Sequence, residues 1–189
     1  MGRTSGTWGQ RLGLGRTGRA HRAATVRGVR IRTATAEDWP SIEPVFRAVV
    51  SAGETYAYPE DITSEQARGL WLEEPPGWAL VAVDDQGLLG TAKAGPNRPG
   101  RGAHVGTASF MVAPEASGRG VGRALGEAVL ARLAAEGYRS VQFNAVVETN
   151  TRAVALWRSL GFTVVGTVPE AFDSRTHGLV GLHVMHRPL

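Results

Sequence analysis

Residues 112–136, VAPEASGRGVGRALGEAVLARLAAE, constrain the fold of this chain more than any other stretch, because an apolar strand passes there through a glycine-rich turn directly into a helix. Phe110, Met111 and Val112 close the strand, and Pro114 has no N–H with which to continue a ladder. Ser117, Gly118, Gly120 and Gly122 then clear the turn of bulky side chains. From Val121 onward Val121, Leu125, Val129 and Leu133 recur at helical spacing, with Ala124 and Ala128 beside them, so the helix begins inside the glycine run. Its first N–H groups have no intrahelical partner, and the aligned peptide dipoles leave about half a positive charge there. An anion, a phosphate above all, is the expected guest; the competing explanation is a purely structural glycine turn. Two familiar phosphate loops fail on the letters. Arg123 or Leu125 stands where a dinucleotide fingerprint needs its last glycine, and the chain's single lysine, Lys93, is far from the place a P-loop requires.

The rest of the chain can be ordered around this unit. Val29, Ile31 and Thr33 alternate as a strand, and Trp39, Ile42, Val45, Phe46 and Val49 mark a helix over 37–50, capped at Thr35 or Ala36. A second helix is expected over 63–73, with Thr63 and Gln66 as a capping box and Pro75 and Pro76 beyond its end. Strands 78–83 and 88–94 join through the hairpin turn 84–87, and a polar, glycine-rich loop leads into strand 104–112. After the long helix come a strand at 140–146 and a helix from a cap at Thr149 or Asn150 to Leu160, which Gly161 stops. A strand at 162–168, a loop at 169–177 and a last strand at 178–185 complete the order. Antiparallel strands followed by βαβ crossovers predict an α/β fold with one mixed sheet of about seven strands and helices on both faces.

Composition narrows the function. At 189 residues the chain supports one domain, and no apolar run reaches the length of roughly 20 residues that a membrane span needs. The absence of cysteine excludes disulfides, thiolate metal sites and a cysteine nucleophile, and it fits a cytoplasmic location. The five histidines form no spaced ligand cluster, so no metal is expected. Seven of the 21 basic residues fall in the first 30 positions, which carry no acid, leaving 14 basic against 17 acidic residues afterwards. Residues 1–26 are therefore expected to be a disordered Arg/Gly-rich extension and 27–189 the folded domain. An organelle-targeting or nucleic-acid-binding arm is the alternative for the extension, but the acidic body argues against nucleic acid. Neither segment suggests a membrane partner, and exposed sheet edges offer a route to a homodimer.

A second motif lies one strand beyond the loop: Asn150, Ala153 and Trp157 share a helix face and precede Gly161-Phe162. Together the two motifs resemble the GNAT superfamily of acyl-CoA-dependent N-acyltransferases. That family's loop is (Gln or Arg)-x-x-Gly-x-(Gly or Ala), matched by Gly120 and Gly122 with Ser117 in the Gln/Arg place, and its helix carries Asn-x-x-Ala-x-x-x-Tyr-x-x-x-Gly-Phe. The resemblance implies acetyl-CoA as co-substrate, its pyrophosphate lying on Ser117, Gly118, Arg119, Gly120, Val121, Gly122 and Arg123. It also implies that two parallel strands splay near Met111 and Asn144, where the N–H of Met111 or Val112 polarises the thioester. Asn150, Ala153 and Trp157 would border the pantetheine arm.

Trp157 stands where the family carries an acidic tyrosine, and indole donates a hydrogen bond without releasing a proton. No Asp or Glu occurs between Asp85 and Glu115, so His104 is the preferred catalytic base beside Met111, with Glu54 and Asp173 as further candidates. The implied activity is N-acetyl transfer to a primary amine of a small molecule or amino acid by direct attack. The acceptor would be enclosed by Tyr56, Tyr58, Trp71, Phe172 and Arg175, with Arg175 on an acceptor carboxylate. A CoA-binding module without chemistry and a protein N-acetyltransferase are the alternatives.

Overall fold

The computed structural model describes residues 28–189, and the strand–turn–helix unit lies at its centre. β1 (Arg30–Thr33) leads into α1 (Trp39–Ala52) and α2 (Ser64–Trp71), followed by β2 (Trp78–Asp84), β3 (Gly87–Pro96) and β4 (Val105–Val112). α3 (Val121–Ala135), β5 (Ser140–Val147), α4 (Thr151–Ser159), β6 (Thr163–Ser174) and β7 (Gly178–Pro188) complete the domain. The extension assigned to residues 1–26 lies outside the described residues.

The seven strands form one sheet in the order β1-β2-β3-β4-β5-β7-β6. Every neighbouring pair is antiparallel except β4 and β5. The sequence suggested two parallel crossovers, and only the one through α3 produces a parallel pair. The second, through α4, carries β6 past the place beside β5 that β7 then fills.

β3 shows why helices must cover both faces. Its central residues are buried, so its sequence cannot alternate between apolar and polar. A Cβ on Gly90 would meet Val121 and Leu125 of α3 at 3.2 and 3.3 Å, whereas Thr91, one residue on, receives a hydrogen bond from Trp71 of α2. Thr91 is fully buried yet satisfied: Trp71 Nε1 donates to its Oγ1 at 3.0 Å and the hydroxyl donates to the Leu80 carbonyl at 2.8 Å. Ile42 and Phe46 of α1, with Trp71 and Met111, fill the core on that side; Val121, Leu125 and Leu133 of α3 fill it on the other.

Local signals hold at the helix starts. Thr63 and Gln66 exchange both bonds of the expected capping box. At α1 a short 3-10 turn, Ala36–Asp38, intervenes between the Thr35 cap and the helix proper. The expected loop at 169–177 is a correction: β6 runs on to Ser174, and only the residues up to Gly178 turn. β6 is an edge strand with nearly every position exposed, so no apolar alternation marks it. Register shifts at Val164/Gly166 and Val168/Phe172, with Glu170 in the left-handed region (φ 51°), break the period further.

Candidate active site

The single parallel pair does not last. β4 and β5 match only at Val105 with Ser140 and Gly106 with Val141, after which the strands part. A β-bulge in β5 between Phe143 and Val146 leaves Asn144 and Ala145 exposed. A cleft of about 350 Å3 fills the divergence, walled by residues 107–110 of β4, 143–147 of β5, Tyr56 and Tyr58 from the α1–α2 loop, and Ala153 and Trp157 of α4.

Tyr56 reaches across the cleft to the main chain of β4. The Phe110 N–H donates to the Tyr56 hydroxyl at 2.9 Å, and that hydroxyl donates to the Phe110 carbonyl at 2.8 Å. Both backbone groups of Phe110 therefore face the cleft. Strand alternation turns those of Met111 toward β3, where Thr91 is its partner, and returns those of Val112 to the cleft side. The Ala113 N–H confirms the parity by donating to the Leu89 carbonyl of β3 at 2.9 Å. Of the two amides expected to polarise the thioester, that of Met111 is thus turned away from the opening and that of Val112 faces its side; the Met111 side chain is buried at 2% exposure. Burial pushes the Tyr56 hydroxyl well above the usual phenol range, so it keeps its proton.

At the far end of β4 the glycine turn takes the shape that its residues permit. Gly118 and Gly120 both adopt φ of 80°, a left-handed conformation that costs an L side chain roughly 1–2 kcal/mol. Ser117 N–H bonds to Pro114, Arg119 N–H to Ala116, and the first α3 bond runs from Ala124 N–H to Gly120. The N–H groups of Gly118, Gly120, Val121, Gly122 and Arg123 have no backbone acceptor among the described residues. Such a row at a helix start is a seat for a phosphate. The flanking guanidinium groups are engaged elsewhere: Arg119 pairs with Asp84 at 2.7 Å, and Arg123 donates to Ser159 at 2.7 Å.

The second motif has mixed duties. Asn150 caps α4 by accepting the Ala153 N–H at 3.1 Å, while Trp157 lies 4.7 Å from Phe110 and 5.0 Å from Phe143, centroid to centroid, in the wall of the cleft. Asn144 sits on the diverging strand, and its amide donates to Asn97 at 2.7 Å.

The base candidates fare differently. His104 is exposed in the turn before β4, and its carbonyl accepts the Arg139 N–H at 2.9 Å. That is the end where β4 and β5 are joined, so the structure does not bring His104 to the cleft. Glu54 is spent on the β6–β7 turn, accepting from Ser174 Oγ at 2.6 Å and from Thr176 N and Oγ1 at 2.8 and 2.6 Å. The hydroxyl of Ser174, then Thr176, holds its carboxyl below the usual range. Asp173 is exposed on β6 opposite Leu179 and does not line the cleft. The residues that do line it include no Asp, Glu, His, Lys or Arg.

Of the residues expected around the acceptor, Tyr56, Tyr58 and Phe172 line the cleft. Trp71 is core, and Arg175 pairs with Glu60 outside. The part sequence reasoning missed is the Phe110 main chain, whose orientation depends on register and leaves no mark on residue type. A larger groove of about 1070 Å3, between α2 and the end of α3, is remote from this site, and its Glu73 and Glu136 are already paired with Lys93 and Arg132. Among the described residues no cluster of His, Asp or Glu suits a metal, and no helix is long and apolar enough to cross a membrane.

Known proteins share this fold. Residues 36–162 match the Acetyltransferase (GNAT) family. A GCN5-related N-acetyltransferase from Kribbella flavida is 61% identical and superposes with a TM-score of 0.83 over 86% of this chain and 98% of that one. A phosphinothricin acetyltransferase from Sinorhizobium meliloti, solved in complex with AcCoA, is 26% identical with a TM-score of 0.76 over 86% and 89%. The phosphinothricin N-acetyltransferase of Alcaligenes faecalis is 33% identical over 88% of this chain and 83% of its own length. The N-acetyltransferase aca1 of Schizosaccharomyces pombe is 35% identical over 103 residues, a match spanning 54% of this chain and only 49% of aca1. Joined to the parted strands and the glycine turn, these matches identify the chain as a member of the GNAT acetyltransferase family.

Proposed function

We propose that the protein moves the acetyl group of acetyl-CoA to a primary amine of a small molecule or amino acid by direct attack. The observation that carries this reading is the wedge between β4 and β5, which leaves the cleft-side main-chain groups of β4 without a strand partner, beside a helix start whose N–H groups have no backbone acceptor. An extended amide-bearing arm can add to such an edge as a short strand does, and its diphosphate can rest on residues 118–123. Ala153 and Trp157 would flank the arm. Phe110 and Val112 both turn their N–H away from β3; in this reading the thioester carbonyl meets that of Phe110, drawing it from the Tyr56 hydroxyl, and the Met111 amide is set aside.

The reaction balances without a metal or a covalent enzyme intermediate. The amine nitrogen attacks the thioester carbon, a C–N bond forms, the C–S bond breaks, and CoA leaves as thiolate. A thiol pKa of about 8.5 makes that departure easy without a strong acid. The acceptor must arrive as the free amine, and its nitrogen sheds one further proton as the amide forms. The cleft lining offers no carboxylate or imidazole to take it, so the proton passes to water. The Alcaligenes and Sinorhizobium relatives, both named for a small acceptor and the second solved with AcCoA, support a compact amine. The aromatic walls of Tyr56, Tyr58 and Phe172 suit one, although Arg175 is committed to Glu60 and is withdrawn as the carboxylate anchor.

The test is thiol release from acetyl-CoA with a panel of small amines, amino acids and amine-bearing peptides. Release with at least one small amine is the expected result. CoA binding with no turnover on any acceptor would instead favour a degenerate binding module, and release with peptides alone would favour a protein acetyltransferase.

A further inference from the structure

Tyr56 is unusual in bonding to both main-chain groups of one strand residue. Its hydroxyl sits 2.9 Å from the nitrogen and 2.8 Å from the oxygen of Phe110, the place a partner strand would fill had β5 not turned away. The ring is held firmly: it stacks on Tyr58 at 5.5 Å and 5°, and meets Trp71 edge-on at 6.0 Å. The loop that carries it is tied down in turn, since Arg175 N–H donates to Gly53 at 3.1 Å and Glu54 gathers Ser174 and Thr176. A phenol so placed is an oriented donor on a rigid mount, within one hydrogen-bond length of the amide that faces the cleft.

We propose that Tyr56 is a second oxyanion donor, acting with the Phe110 N–H on the tetrahedral intermediate of acetyl transfer. The inference rests on the acetyl-transfer reading above. When the amine attacks, the carbonyl π electrons move onto oxygen; the Phe110 N–H, which donates to the Tyr56 oxygen in the resting site, then shares its proton between that oxygen and the alkoxide, so the alkoxide also lies within reach of the Tyr56 hydroxyl. The hydroxyl turns its proton from the Phe110 carbonyl to the alkoxide as charge develops. The proton stays on the phenol throughout; only its acceptor changes, and it turns back as the C–S bond breaks. The hydrogen bond to the neutral Phe110 carbonyl is thereby exchanged for a charge-assisted one that exists only in the transition state and intermediate, so the gain falls on kcat. This also gives the site a hydroxyl donor from the α1–α2 loop although α4 presents an indole at Trp157.

The test is Tyr56→Phe, which removes one oxygen and keeps the stacked ring. With the best amine from the panel, kcat should fall about 100-fold, as for removal of one oxyanion donor. KM for acetyl-CoA and the calorimetric Kd for CoA should stay within threefold, the latter also certifying an intact site. Turnover within threefold of wild type overturns the inference while leaving the proposed function standing. Tighter CoA binding with faster turnover also overturns it, because the hydroxyl would then only obstruct the thioester. A wild-type protein that binds CoA but acetylates nothing overturns both.

Discussion

Phe110 and Met111 are neighbours whose main-chain groups face opposite sides, and the difference is one of parity. Backbone groups alternate sides along a strand, so a one-residue slip exchanges the amide that faces the cleft for one bonded into the sheet. The sequence pointed to the amide of Met111 or Val112 because Pro114 and the glycines mark where β4 ends. It could not give the parity, which is fixed by pairing with Thr91. His104 shows the same limit: it is a polar residue at the start of the right strand, but the departure of β5 from β4 after Val141 decides which residues line the opening, and no residue type marks it. We expect His104→Ala to leave the pH dependence of kcat/KM unchanged within error, the rising limb following the acceptor amine instead. A rising limb that shifts or disappears in the variant would restore the imidazole to the mechanism. Thr91 carries a stability prediction. Thr91→Val keeps the shape but leaves the buried Trp71 N–H without its acceptor, and should cost about 1–3 kcal/mol in urea unfolding.

Among the elements, the α1–α2 loop and the tip of the β6–β7 hairpin behave as a unit. Glu54 accepts three hydrogen bonds from that tip, and Arg175 returns two contacts to the loop. Glu54→Ala should raise KM for the amine several-fold and leave the calorimetric Kd for CoA unchanged; an unaltered amine KM would show the clamp to be dispensable. These contacts span more than 110 residues and have no local signature, which is why Glu54 was legible only as a loop acid. The helices were legible because capping and 3.6-residue periodicity are local, as at Thr63 and Gln66. β6 was half-read because an exposed, bulged edge strand buries too little to impose a pattern.

The junction of β1 and α1 offers a pH test. The Arg32 guanidinium, 2.6 Å from Asp38, holds that carboxyl at about 2. A depressed carboxylate stabilises the fold fully above its ordinary pKa of about 4 and loses that contribution as pH falls through about 2. Arg32 is half exposed, so Asp38→Asn should cost only about 1 kcal/mol at pH 7, vanishing toward pH 2. A deficit independent of pH in acid-unfolding curves would contradict this.

At the scale of the whole molecule the sheet is two antiparallel leaves, β1 to β4 on one side and β5 to β7 on the other. The order of elements already implied a mixed sheet, because each turn and crossover leaves a residue-level trace. The location of the fault between the leaves came instead from family resemblance and from the pairing itself.

Two ladder rungs are a thin seam for a seven-stranded sheet. Under the proposed function the amide-bearing arm of CoA would supply the missing rungs, so cofactor capture and sheet completion would become the same event. Amide exchange of residues 107–112 and 142–147 should slow together when CoA is added, ahead of any change in α1 or α2. Such a molecule would hold its substrate as a fastener holds cloth, borrowing part of its own cohesion from the reagent it consumes.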